Sequence, residues 1–161
     1  MRLLTFSFFT ILIIVIDQIT KALARNSLAV GESITVIPGM FDFTLVYNTG
    51  IAFGLFPNAG VWLAPIAIVV ALIAGYAYVH AIAKDKMFSL AMILISAGAL
   101  GNFIDRIFHH GKVTDFIDIR IIHVFNIADM SISIAVGLLL VRWMLELKTE
   151  IAKHKSTTES E

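Results

Sequence analysis

The 161 residues predict a membrane α-helical fold, with four transmembrane helices and a small extracytoplasmic β-hairpin or β-sheet element. Three observations carry this. Hydrophobic residues make up 58% of the chain and charged residues only 15%, and the mean hydropathy is +0.89, too apolar for an ordinary soluble domain of this length. Four apolar runs approach the ~20 residues that span the hydrocarbon core as helix. One segment between the first two runs changes to a two-residue period.

The first run, Leu3 to Ala24, follows Arg2 and ends in Ala22-Leu23-Ala24, which mimics a signal-peptide cleavage site. Asp17 and Lys21 intrude before those small residues and three further spans follow, so the segment is expected to stay as a helix. Between the first two runs, at about 32–48, Ile34 and Val36 and then Phe41, Phe43, Leu45 and Tyr47 alternate with more polar neighbours across Pro38-Gly39. That pattern predicts a hairpin outside the membrane. Asn48-Thr-Gly-Ile-Ala-Phe-Gly54 follows, with two glycines where backbone can approach a ligand closely. Phe53, Phe56 and Trp62 fit an interfacial aromatic belt.

The second run, Val61 to Ile82, is joined by Lys84-Asp85-Lys86 to the third, Phe88 to Phe108. An outer connection carrying Asp115 leads to the fourth, Asn126 to Leu147. Residues 1–147 therefore read as a single integral-membrane unit and 148–161 as a polar cytoplasmic tail that frays into solvent. Arg2, the Lys84–Lys86 link and Arg142, Lys148, Lys153 and Lys155 favour both termini in the cytoplasm. The bias is modest, because Lys21, Arg25, Arg106, Lys112 and Arg120 fall on the other side.

Composition also excludes chemistry. Cysteine is absent, which removes disulfides, thiolate nucleophiles and Cys-ligated metal. The 12 basic residues balance 12 acidic ones without clustering, so no nucleic-acid footprint is present.

With the amino terminus inside, the polar residues of the spans gather at one depth. Asp17 and Lys21 end the first, Asn102, Asp105 and Arg106 end the third, and Asn126 and Asp129 begin the fourth. A charge at bilayer depth costs at least ~2.5 kcal/mol on the mildest scale, so such acids mark a functional site by default. Each group also has a structural reading. Asp17 and Lys21, at i, i+4, can neutralise each other near the interface. Gly98, Gly101, Asn102, Asp105 and Arg106 have spacings suited to tight interhelical packing, a structural role favoured for Asp105 and Arg106. Asn126 and Asp129 are spaced as an N-cap and an acidic N3 residue.

Taken together and in order, Asp17-Gln-Ile-Thr-Lys21, Asn48-Thr-Gly-Ile-Ala-Phe53, Gly98-Ala-Leu-Gly-Asn-Phe-Ile-Asp-Arg106, Val113-Thr-Asp-Phe116 and Phe125-Asn-Ile-Ala-Asp129 resemble the successive motifs of lipoprotein signal peptidase, the bacterial signal peptidase II family. Ala97, where the family commonly has glycine, and Met130, where a small residue is frequent, depart from the pattern without touching a proposed catalytic group. The resemblance implies an aspartyl endopeptidase of the bacterial inner membrane, with its site near the periplasmic leaflet. The implied catalytic pair is Asp115 and Asp129. Asn48, Gly50, Asn102, Arg106 and Asn126 are implied to line or support the site, with Asp17 and Lys21 in a structural or binding role. The implied substrate is a diacylglyceryl-modified prolipoprotein cut just before its lipidated cysteine. No metal or other cofactor is implied, and membrane lipid is the remaining partner of a chain expected to be monomeric.

The residues support that chemistry on their own. Two close carboxylates cannot both ionise cheaply, so they share a proton, and one activates water while the other polarises the scissile carbonyl. The helix dipole at the start of the fourth span favours Asp129 as base and Asp115 as acid. Four alternatives compete, one of them a scaffold that merely binds lipoproteins without chemistry. Ser27 with Lys21 would form a nucleophile and base. His109, His110 and His123 with Asp115 or Asp118 would hold a metal, although no His-Glu-x-x-His spacing appears. A small proton- or ion-coupled transporter would use the same acids for coordination, although no internal repeat supports it.

Overall fold

The computed structural model describes residues 2–50, 60–80 and 85–158. Helix α1 covers Arg2–Ser27, strand β1 Ser33–Ile37, strand β2 Phe41–Asn48, helix α2 Gly60–His80, helix α3 Lys86–Phe108, strand β3 Val113–Asp118 and helix α4 Ile127–Thr158. Among the described residues, four helices are long and apolar enough to cross a membrane. Phe53 and Phe56 of the expected aromatic belt lie outside the described residues. Trp62 lies in the first turn of α2 and is 78% exposed.

Helix α3 is the central element. It packs on α2, α4 and α1, and half of its most apolar stretch is buried against far less for the others. Small residues permit this. Ala74, Ala91 and Ala135 meet Tyr78, Met92 and Ile93 in one core cluster, and glycines remove side chains where α3 meets its neighbours most closely. A Cβ on Gly98 would lie 2.6 Å from Ile132 Cγ1, and one on Gly101 would lie 2.8 Å from Asp17 Oδ2 and 3.1 Å from Ala128 Cβ. Without a hydrophobic drive between helices in lipid, such close backbone approach is the main source of association.

The helix ends away from the sheet are fastened by charge. Arg2 donates to the Tyr78 and Val79 carbonyls at the carboxyl end of α2, where i+4 donors have run out. Asp85 caps α3 by accepting from the Phe88 N–H at 2.9 Å and also pairs with Arg142 of α4 at 2.5 Å.

The expected hairpin is present but incomplete as a description. Pro38-Gly39 makes the turn, closed by the Met40 N–H on the Ile37 carbonyl at 3.0 Å, with Gly39 at φ 75°, as a type II turn requires. The residues expected on an outer connection, Val113-Thr-Asp-Phe116, instead form a third strand, giving an antiparallel sheet in the order β1-β2-β3. A register shift between Phe43 and Val46 breaks the two-residue alternation, so Asp42, Thr44 and Leu45 are all buried while Phe43 is exposed. Leu45 and Phe116 pack on Ala24 and Leu28 at the end of α1, which seats the sheet on the bundle.

The tail expected to fray is helical to Thr158. No glycine or proline interrupts 148–158, and Thr149 back-bonds to Leu145 while Lys153 pairs with Glu150 at 3.0 Å. Residues 148–154 are exposed, so local propensity and neighbouring side-chain pairs continue the helix beyond the span.

Candidate active site

Asp115 lies on β3, opposite Val46 of β2 in the sheet register, and Asp129 lies in the first turn of α4. The chain between them is held short. Phe125 bridges back to Ile117, with the Phe116 and Ile117 N–H groups on the Phe125 carbonyl at 3.0 and 2.8 Å and the Phe125 N–H on the Ile117 carbonyl at 3.0 Å. Asn126 follows at once and starts α4. Its Oδ1 accepts the Asp129 N–H at 2.9 Å, the N-cap geometry its spacing predicts. The reciprocal half of a capping box is absent, because the Asp129 carboxylate turns instead to Asn102, whose Nδ2 donates to Asp129 Oδ1 at 2.8 Å.

Asn126 is fully buried. With Oδ1 committed to the helix start, its amide nitrogen faces Asp115 Oδ1 at 2.6 Å and forks toward Asn102 Oδ1 at 3.2 Å and the Thr114 carbonyl at 3.3 Å. Asn48 also hydrogen-bonds Asp115, while its own Oδ1 accepts the Gly50 N–H at 2.9 Å. Arg106 donates to the Gly50 carbonyl at 3.2 Å and lines the same cavity, its Nε buried without a hydrogen-bond partner among the described residues. Asp115 is 2% exposed. Burial, and then the neighbouring Asp129 charge, push its carboxyl up from the ordinary 3.8 to about 7, the behaviour of one member of a coupled acid pair.

Beneath this layer lies a second one, wholly buried. Lys21 and Asp17, expected to neutralise each other near the interface, are both 0% exposed and pair at 2.9 Å. The i, i+4 pair is present, and α3 and the start of α4 close over it. Lys21 Nζ also donates to Asn102 Oδ1 at 3.0 Å and lies 3.7 Å from Asp105. Asp17 Oδ1 accepts the Ala128 N–H at 2.9 Å, satisfying one of the free donors at the start of α4. Asp105 accepts the Thr114 N–H at 2.7 Å, which ties α3 to β3. Arg106, given a structural reading beside Asp105, also faces the cavity.

Three participants carried no assignment in the sequence. Gln18 donates to the Gly101 carbonyl at 3.0 Å and to Asp105 at 3.2 Å. Arg25 donates to Thr114 Oγ1 at 2.9 Å, and Thr114 itself is fully buried. Gln18 and Thr114 sit inside the motif stretches, the only signal that pointed to them.

Asp115 and Asp129 open onto a cavity of about 1100 Å³. One wall is Leu63, Ile66, Ala67 and Val70 of α2, the other Ile132 and Ile134 of α4, with Ala99 of α3 behind; Asn48, Gly50, Asn102 and Arg106 gather at the polar end. An apolar slot with convergent polar groups at one end suits a long apolar ligand that presents one reactive group.

The competing arrangements have weaker footing. Ser27 is exposed at the end of α1 while Lys21 is buried in its ion pair. His110 is exposed, and His123 lines the cavity mouth apart from His109, which ends α3. Among the described residues no group of three His, Asp or Glu side chains is arranged to hold a metal ion.

Comparison with known proteins agrees with the motif order. The sequence profile of the signal peptidase (SPase) II family matches residues 9–145. A lipoprotein signal peptidase of Desulfitobacterium hafniense is 42% identical over 136 residues, 84% of this chain and 89% of that protein. One from Hydrogenovibrio crunogenus is 40% identical over 166 residues, covering 98% and 95% of the two chains. The fold matches a bacterial membrane enzyme solved by the in meso method with a TM-score of 0.84 at 31% identity, covering 90% of each chain. A second enzyme solved in the same way gives 0.73 at 33% identity, over 86% of this chain and 92% of that one. Motifs, fold and relatives converge: the chain belongs to the signal peptidase II family and is a multi-pass bacterial membrane protease.

Proposed function

We propose that the protein is an intramembrane aspartyl endopeptidase that removes the signal peptide from diacylglyceryl-modified prolipoproteins, cutting just before the lipidated cysteine. The relatives' name, lipoprotein signal peptidase, supports the substrate class. The observation that carries the mechanism is the meeting of Asp115 and Asp129 at the polar end of one apolar slot.

Asp115, with its carboxyl raised to about 7, holds the shared proton near neutral pH and donates it to the scissile carbonyl oxygen. Asp129 takes a proton from the attacking water, whose oxygen bonds to the carbonyl carbon. In the second half, protonated Asp129 delivers its proton to the leaving amine and Asp115 recovers one from the diol hydroxyl. The peptide C–N bond breaks, leaving a carboxylic acid on the signal peptide and a free amine on the cysteine, and a proton passing from the first to the second gives the carboxylate and ammonium found at neutral pH. No covalent intermediate is needed. Asn48, Gly50, Asn102, Arg106 and Asn126 hold the acids and the substrate backbone, and Asp17, Lys21 and Asp105 support them from below.

The apolar walls suit the acyl chains and signal helix, which arrive from the bilayer. The basic Arg2, Lys86, Arg142 and Lys148 at the opposite end from the site support cytoplasmic termini and a site near the periplasmic leaflet.

The test uses purified protein with matched precursors, with and without the diacylglyceryl group. The wild type should cut only the lipidated one. Asp115→Asn and Asp129→Asn should each lower the rate by a factor on the order of 10²–10⁴. A folded, membrane-inserted variant of either kind that still cuts at the normal rate would overturn the dyad.

A further inference from the structure

The loop between the two aspartates does more than connect them. Residues 118–124 are tied at the neck by the Ile117–Phe125 bridge and stiffened within. The Arg120 N–H is on Asp118 Oδ1 at 2.8 Å, the Arg120 guanidinium pairs with buried Asp42 of β2, and the Ile121 N–H is on the Ile119 carbonyl at 2.8 Å. Arg120 holds φ 62°, a left-handed conformation that non-glycine residues adopt only when their surroundings impose it.

This bracing projects two isoleucines. Ile121 is 86% exposed and Ile122 is 49% exposed. Two adjacent isoleucines held out by a braced loop, at the end of the bundle where other large apolar side chains are exposed, form an apolar tip that suits an apolar partner. The partner follows from position. Immediately after the neck, Asn126 caps a membrane span, and the exposed residues that follow on it, Met130 and Ile134, border the slot. Trp62 at the start of α2 and Phe108 at the end of α3 are exposed at the same end of the bundle, where interfacial aromatics mark the headgroup level.

We propose that the 118–124 loop is a membrane-interface anchor that inserts Ile121, with Ile122 beside it, into the acyl region of the adjacent lipid leaflet. Ile122 also borders the slot, next to His123. The anchor thereby sets the depth at which β3 and the start of α4 present their aspartates.

The absence of cysteine makes the test direct. Full-length Ile121→Cys, Ile122→Cys and, as an aqueous reference, Glu150→Cys are labelled with an environment-sensitive nitrobenzoxadiazole probe. Each is placed in phosphatidylethanolamine/phosphatidylglycerol nanodiscs with or without lipids spin-labelled near the headgroup. The probe at 121 should emit to the blue of the probe at 150 and be quenched several-fold more strongly. The probe at 122 should show the same trend to a smaller degree. A water-like spectrum without extra quenching at both 121 and 122 overturns the proposal. So does quenching at 121 that disappears when a lipidated precursor binds, which would make substrate the occupant. Self-quenching between labelled copies overturns it in favour of a second copy of the chain. None of these readings depends on peptide cleavage, so failure here is distinct from failure of the proposed chemistry.

Discussion

Asn126 and Asn102 are hydrogen-bonded to each other, Nδ2 to Oδ1 at 3.2 Å, and each donates to a different aspartate, Asp115 at 2.6 Å and Asp129 at 2.8 Å. The two carboxylates are thus spaced by a pair of neutral amides whose orientations are fixed from outside. The Asp129 N–H sets one, and Lys21 Nζ on Asn102 Oδ1 sets the other. Neutral donors hold the acids together without quenching the charge that raises Asp115.

Asn126→Asp separates the cap from the site. Aspartate caps a helix about as well as asparagine, but it places an acceptor where Asp115 requires a donor. Thermal stability should stay closer to wild type than in Asn126→Ala, which forfeits ~1 kcal/mol for the cap. Peptidase activity should nevertheless fall steeply in both. Melting curves beside kcat measurements check this, and Asn126→Asp with normal turnover would contradict it.

The raised carboxyl of Asp115 predicts two pH effects. Between its ordinary value of 3.8 and about 7, the folded protein retains a proton that the unfolded chain has released. Stability therefore falls as pH rises through that window and levels off above it. Asp115→Asn should flatten this slope. Activity should decline as pH rises through about 7, because the shared proton is then lost. In Asp129→Asn the neighbouring charge is gone, so the Asp115 carboxyl should titrate lower. Carbon-detected NMR of the labelled aspartate reads that shift directly, and an unchanged midpoint would deny the coupling.

Lys21→Met leaves Asp17 and Asp105 buried without their cation, and removal of one partner from a buried ion pair costs ~3–5 kcal/mol. Adding Asp17→Asn should recover part of that loss, since an asparagine Oδ1 can still accept the Ala128 N–H. Denaturation of the single and double variants in matched lipid checks it. A double variant no more stable than Lys21→Met would show that the charge is not what matters.

Gly101→Ala should destabilise by ~1–3 kcal/mol, the usual cost of overpacking, because its Cβ would press on Asp17 Oδ2 and Ala128. The same substitution at Gly137, where nothing lies within 4 Å of the added atom, should be close to neutral. Equal melting temperatures for the two would refute the distinction.

The spans and the polar ends of the helices were legible because both are local patterns, a run of apolar residues and a spacing of three or four. The cap at Asn126 was legible for the same reason. What could not be read was set by distant contacts. The burial of Lys21 depends on residues such as Asn102, far along the chain, and an i, i+4 pair looks the same in water or in a core. β3 was hidden because its partner β2 is remote and Val113–Asp118 is too short to show a period. The buried face of β2 was unreadable because the shift between Phe43 and Val46 defeats the alternation on which such a reading rests.

Helix α3 stands between α2 and α4 and packs on both, and the slot that ends at the aspartates has its walls on those two outer helices. For the lipidated substrate proposed above, the bilayer is a two-dimensional solvent. Occupancy of the slot follows the substrate's mole fraction in the bilayer rather than its concentration in water, and adding inert lipid at fixed enzyme and substrate should slow turnover by surface dilution alone.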